Sequence, residues 1–160
     1  MTTASRDLEV SLARRWGIVA GMDEVGRGAL AGPVAVGVAL VSVEAEPVPE
    51  GLTDSKALTP RRREALVEPV RSWALGSSVG YASPREIDQW GIIAALRLAG
   101  RRALADVAGR GLVPGGVLLD GSHDWLSAPD DLFGAFGGPE DPFGRELPVH
   151  MQVKADASCA

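Results

Sequence analysis

The sequence predicts an α/β fold, and three observations predict it. Stretches with strand alternation and stretches with helical spacing follow one another along the chain. The first two strands flank a glycine loop, Gly26-Arg27-Gly28, that suits a hairpin. Acidic residues stand where apolar runs stop, at Asp23 and Asp120, as ligand-binding residues do at the carboxyl ends of strands in α/β sheets.

The elements follow in order. Residues 5–16 suit a short helix with Leu8, Leu12 and Trp16 along one face. Residues 17–23 read as a buried strand. Residues 32–41 alternate, with Val34, Val36, Val38 and Leu40 on one side and Ala35, Gly37 and Ala39 on the other. Pro47, Pro49 and Gly51 mark a loop. Thr59-Pro60 starts a helix, with Thr as N-cap and Pro in the first helical position, and Leu66, Val70 and Trp73 continue its apolar face. Residues 74–82 suit a third strand, and Ser83-Pro84-Arg85-Glu86 is a capping box. A helix over 92–107 carries Ile92, Leu96, Ala99, Ala103 and Val107 on one face, with Arg97 and Arg101 off it, and Gly109 and Gly111 stop it. Residues 117–120 and 149–153 suit two short strands. Between them, residues 127–148 are rich in Gly, Pro and acids and read as a long irregular surface loop.

A chain of 160 residues fits one domain over 1–160, with enough mass to bury a core. The formal charge of −5 argues against non-specific coating of nucleic acid but leaves room for a local basic patch. Cys159 is the one cysteine, so nothing points to a disulfide framework. No apolar stretch is long enough to span a bilayer, and Arg6, Asp7 and Glu9 stand where a signal peptide has its apolar region. The expected location is cytoplasmic.

Two acids coming off an apolar strand, Asp23 and Glu24, make a hard, oxygen-rich site of the kind that holds magnesium-like cations. Asp120 ends the fourth strand as Asp23 ends the first, and Asp156 follows the fifth, two residues after Lys154. So many like charges at one sheet edge need a cation or raised pKa values. Taken singly, an Asp such as Asp120 or Asp156 is more often a turn former than a ligand, whereas the Asp23-Glu24 pair stands out because buried strand ends rarely tolerate two acids.

The motifs also come in a recognisable order. They are Ala20-Gly21-Met22-Asp23-Glu24-Val25-Gly26-Arg27-Gly28, Leu30-Ala31-Gly32-Pro33-Val34, Leu52-Thr53-Asp54-Ser55-Lys56-Ala57-Leu58, Ala82-Ser83-Pro84-Arg85-Glu86-Ile87-Asp88, Leu119-Asp120-Gly121 and Lys154-Ala155-Asp156-Ala157-Ser158. In this the chain resembles the bacterial type 2 ribonucleases H (ribonuclease HII). The resemblance implies a ribonuclease H-like fold, a mixed central sheet flanked by helices. It implies an endonuclease that cuts the RNA strand of RNA–DNA hybrids and cuts at ribonucleotides embedded in duplex DNA, in replication and repair. The family's four metal-binding, catalytic acids fall on Asp23, Glu24, Asp120 and Asp156. Gly26, Arg27 and Gly28 match the loop that reads the ribose 2′-hydroxyl, and Ser55, Lys56 and Lys154 fall on the substrate side.

The implied cofactor is Mg²⁺ or Mn²⁺, with two ions about 3.5–4 Å apart and products ending in 3′-hydroxyl and 5′-phosphate. The implied partners are RNA–DNA hybrid and ribonucleotide-containing duplex DNA, with no membrane, acting as a monomer. The family pattern continues beyond Asp156 with a small-residue helix and a later tyrosine, so the C-terminal helices are expected to be missing here. The alternative is therefore a catalytically impaired hybrid-binding fragment or remnant. The family also carries Asn before Ile where this chain has Gly91-Ile92.

Blander readings apply elsewhere. Arg61, Arg62 and Arg63 oppose the dipole of their helix by about 0.3–1 kcal/mol each, which a phosphate strand would offset; a solvated basic face is the simpler expectation. Arg101-Arg102 reads as surface, Trp16, Trp73, Trp90 and Trp125 as core or rim, and His123 and His150 as surface or loop. Gly26-x-Gly28-x-x-Ala31 fits a relaxed dinucleotide fingerprint, but that requires a helix at the loop, where Pro33 and the alternating valines demand a strand.

Overall fold

A computed structural model describes residues 6–45, 47–128 and 138–153. Five strands form one sheet: β1 (Val19–Val25), β2 (Val34–Val41), β3 (Gly76–Ala82), β4 (Gly116–Asp120) and β5 (Val149–Gln152). Four α-helices accompany them: α1 (Asp7–Trp16), α2 (Pro60–Trp73), α3 (Pro84–Trp90) and α4 (Ile92–Gly109). The order across the sheet is β3-β2-β1-β4-β5. β1, β2 and β3 pair antiparallel, whereas β4 and β5 run parallel to β1. The sheet is therefore mixed, as the resemblance implied.

β1 is longer at its far end than its apolar run suggested. Pairing with β2 continues through Asp23 opposite Gly37, Glu24 opposite Val36 and Val25 opposite Ala35. Both acids thus lie inside the strand, because the ladder supplied by β2 holds backbone that polar side chains do not disfavour. The hairpin also removes the dinucleotide-fold alternative, since a strand and not a helix follows the glycine loop.

One face of the sheet carries the main core. Val34, Val36, Val38 and Leu40 of β2 are buried there beneath Leu96, Ala99, Ala103 and Val107 of α4, the helical stripe that periodicity predicts. Full burial of such side chains contributes about 1.5–3 kcal/mol each, as an upper estimate. α4 lies so close to β3 that a Cβ at Gly80 would fall 1.9 Å from the carbonyl oxygen of Ala99. The helix starts check against their caps: the Thr59 hydroxyl accepts the Arg62 N–H at 3.4 Å, and the Ser83/Glu86 capping box is complete. Gly91, with φ +79°, joins α3 to α4.

One expectation needed correction. Arg101 is 4% exposed, not a surface residue. Its guanidinium donates to Glu146 at 2.9 and 3.0 Å, to the Arg145 carbonyl and to the Leu126 carbonyl, and lies 3.6 Å from Asp141. The segment 138–148 folds over α4 and covers it, with Phe143 and Leu147 packed on the core. Helical periodicity carries no information about such a cover. For α2 the apolar face is as the spacing predicts. Leu66, Val70 and Trp73 do line its inner side, yet no residue of α2 is buried. On the sheet's other face, α1 packs Leu12 and Ala13 against Val19, Val41 and Leu118. α2 meets that face at its C-terminal end, through Trp73, and leaves a cleft beside Val70 and Arg71. Trp125, by contrast, is core as expected, at 1% exposure.

Candidate active site at the ends of the central strands

Met22 of β1 lies beside Leu119 of β4 in the parallel ladder, and both point into the main core. Alternation sends the next residue of each strand, Asp23 and Asp120, to the opposite face. There they line one cleft of about 1080 Å³. Its floor is made of small residues, among them Gly21, Gly37 and Ala39, so the sheet leaves room for a ligand rather than filling it. α2 and the loop carrying Asp54 and Ser55 form the far wall.

The Asp23 carboxyl titrates above the usual carboxylate range. Burial is the main cause, and the neighbouring negative charges of Glu24 and Asp120 add to it. The Glu24 N–H, donated to Asp23 Oδ1 at 2.8 Å, and the positive charge of Lys56 offset part of the shift. Asp23 and Asp120 are thus near enough to feel each other.

Glu24 follows the face of Met22, so it turns away from the Asp23 side of the strand. Its Oε1 accepts Arg27 Nη1 at 3.4 Å. Arg27 sits in the turn between β1 and β2, closed by the Ala29 N–H donating to the Gly26 carbonyl at 3.1 Å. Gly26 is required there: its φ is +94°, and a Cβ would lie 2.7 Å from the Pro33 carbonyl oxygen. At Gly28 a Cβ would meet nothing within 4 Å, so that peptide is open to approach.

Ser55 and Lys56 lie in a 3₁₀ turn on the cleft's far wall. Asp54 Oδ1 accepts the Lys56 N–H at 2.8 Å, and Arg63 Nη1 donates to the carbonyls of Ser55 and Leu58, both at 3.0 Å. Asp54 and Arg63 were given no individual role from sequence. The signal for Asp54 is legible, an Asp two residues before the amide it caps. Arg63 was one of three adjacent arginines with nothing to single it out.

Lys154 and Asp156 lie outside the described residues. β5 leads towards them, with Gln152 opposite Asp120. Among the described residues no group of three or more His, Cys, Asp or Glu side chains is placed to hold a metal ion. The pair Asp23 and Asp120 nevertheless fits a hard divalent ion. Mg²⁺ keeps several waters and is commonly held by one or two carboxylates plus substrate phosphate oxygens. The raised Asp23 carboxyl is a site whose charge a cation would relieve. His123 is exposed and His150 lies partly buried in β5. No helix among the described residues is long and apolar enough to cross a membrane.

Comparison with known proteins accords with this architecture. The sequence model of Ribonuclease HII matches residues 20–139. Ribonuclease HII of Streptomyces griseus subsp. griseus is 51% identical over 127 residues, covering 79% of this chain and 51% of that protein. The chain therefore spans about half the length of the curated relatives of this kind. The structure of the PCNA:RNase HII complex from Archaeoglobus fulgidus matches with a TM-score of 0.57 at 24% identity, over 86% of this chain and 63% of that one. Bst-RNase HIII in complex with Mn²⁺ matches with a TM-score of 0.53 at 19% identity, over 86% and 46%. At those identities the solved structures speak to the fold, and the extent of the family match settles membership: this chain belongs to the ribonuclease HII family.

Proposed function

We propose that this chain supplies the catalytic core of an endonuclease that hydrolyses the RNA strand of RNA–DNA hybrids and cuts at ribonucleotides embedded in duplex DNA. The observation that carries this reading is the pairing of Asp23 and Asp120, one step beyond Met22 and Leu119, on the open face of the sheet. Water attacks the phosphorus, the P–O3′ bond breaks, and a proton passes to the departing oxygen. The ends formed are a 3′-hydroxyl and a 5′-phosphate.

Asp23 and Asp120 would hold a divalent ion, Mg²⁺ or Mn²⁺; Glu24 would join them by exchanging its Arg27 partner for the ion, and the family resemblance adds Asp156, which lies outside the described residues. That a fold neighbour has been solved with Mn²⁺ supports a divalent metal. Such ions, when bound, supply neutralisation of the charge that develops at the scissile phosphate. The Gly26-Arg27-Gly28 turn offers unobstructed backbone to the 2′-hydroxyl, the group that distinguishes RNA from DNA. Ser55 and Lys56 would meet the nucleic-acid backbone, where positive charge contributes affinity without reading sequence; the family resemblance adds Lys154, which lies outside the described residues. A duplex with a single ribonucleotide, end-labelled and resolved on a gel, tests this. Metal-dependent cutting at the ribonucleotide is expected, and its loss in Asp23→Asn.

A second reading follows from Glu24, which lies on the alternate face and pairs with Arg27. Two converging acids without a third suit a hybrid-binding module that does not cleave. Measurable hybrid affinity with no metal-dependent product would select it.

A further inference from the structure

We propose that Arg63 is a positioning residue that holds the 55–58 turn so that Lys56 meets the backbone of a bound hybrid; this rests on the function proposed above. Three adjacent arginines open α2, and the simple expectation for them is a solvated or phosphate-facing basic patch. Arg63 departs from it. One of its terminal nitrogens, Nη1, donates to both Ser55 O and Leu58 O at 3.0 Å, bracketing the turn from its first to its last carbonyl. From the opposite side, Asp54 Oδ1 takes the Lys56 amide at 2.8 Å. The turn's own bonds are sparse: Ala57 N–H to Asp54 O at 3.0 Å and Leu58 N–H to Ser55 O at 3.2 Å.

Those contacts matter because α2 packs on the sheet through Trp73 at its C-terminal end, far along the helix from Arg63. No residue of α2 is buried, and a cleft of about 1080 Å³ lies between its Val70 and Arg71 and the strands. The wall bearing Asp54 and Ser55 therefore gets its shape from local bonds and not from a core. Asp23 and Asp120 lie across the same cleft. Both bonds leave the single nitrogen Nη1, so what the turn uses is one cationic donor held between two carbonyls.

The full 160-residue chain is tested as Arg63→Ala, Lys56→Ala and the Arg63→Ala/Lys56→Ala double variant. Hybrid binding is followed by fluorescence anisotropy against salt, and backbone amides by hydrogen exchange. Arg63→Ala and Lys56→Ala are each expected to lose about one unit of the log K against log salt slope, as for one lost phosphate contact. The double variant is expected to lose no more than either single one, because the two act as a unit. The Lys56, Ala57 and Leu58 amides are expected to lose protection in Arg63→Ala while those of β1 and β2 keep theirs. Additive losses would make Arg63 a phosphate contact itself and overturn the proposal. Unchanged amide protection would overturn it even if the parent chain binds no hybrid. That last failure, absence of binding by the parent, would instead count against the proposed function and is read separately.

Discussion

Asp23 and Asp120 stand one residue beyond a paired Met22 and Leu119, so two residues far apart in sequence share one face of adjacent parallel strands. The relationship follows from pleat geometry alone. If Met22 and Leu119 both serve the core, their successors must both face the cleft. The site is thus tied to the packing of α4, and the cost of placing the acids together falls on Asp23.

That cost is measurable. With its pKa raised mainly by burial and then by Glu24 and Asp120, Asp23 binds its proton more tightly folded than unfolded. Stability therefore declines as pH rises from about 3.8 through the raised value, and the penalty is fully present above it. Asp23→Asn is expected to melt slightly higher than the parent in EDTA at pH 7, and to show no such advantage below pH 3.8. Added Mn²⁺ should stabilise the parent and not the variant. Differential scanning calorimetry checks both.

Glu86 should show the opposite dependence. Its carboxyl is lowered to about 2, first by Arg102 at 2.6 Å and then by the Ser83 N–H at 2.7 Å. The stability it contributes is present above about 4.5 and is lost as pH falls towards 2. Because the pair is partly exposed, the effect is modest. Glu86→Gln should remove that part of the acid limb while leaving stability at high pH only a little reduced, as read from urea midpoints at a series of pH values.

Arg101 anchors segment 138–148 to α4. Arg101→Ala removes a buried guanidinium and its carbonyl and carboxylate partners, and is expected to cost about 2–4 kcal/mol. Glu146→Ala should cost less, about 1–2 kcal/mol, since Glu146 is 63% exposed and Asp141 with two carbonyls still attends the cation. Urea unfolding of the two variants gives the comparison, and a larger loss in Glu146→Ala would contradict the anchoring role.

Much of this was legible in the sequence because the relevant signals are local. Alternation from Val34 to Leu40 identified β2 and its buried side, and Thr59-Pro60 and Ser83 to Glu86 marked helix starts through their own backbone contacts. The Asp23/Asp120 pairing was expected from where two strands end, which is a rule about sheets. What escaped depends on distant chain. Burial of Arg101 needs the segment 45 residues away that carries Glu146. The turning of Glu24 towards Arg27 needs β1 to continue as far as Val25, which is decided by pairing with β2. The cleft beside α2 depends on what lies over the sheet, and the helix's amphipathic pattern says only which side is apolar.

The pairing of Asp23 with Asp120 around a cation is tested most directly by Mn²⁺ titration calorimetry on the 160-residue chain. Asp23→Asn and Asp120→Asn should each weaken binding by about tenfold or more, and the double variant should be little worse than either, because both carboxylates serve one ion. Mn²⁺ binding at parental affinity in either single variant would contradict the shared site.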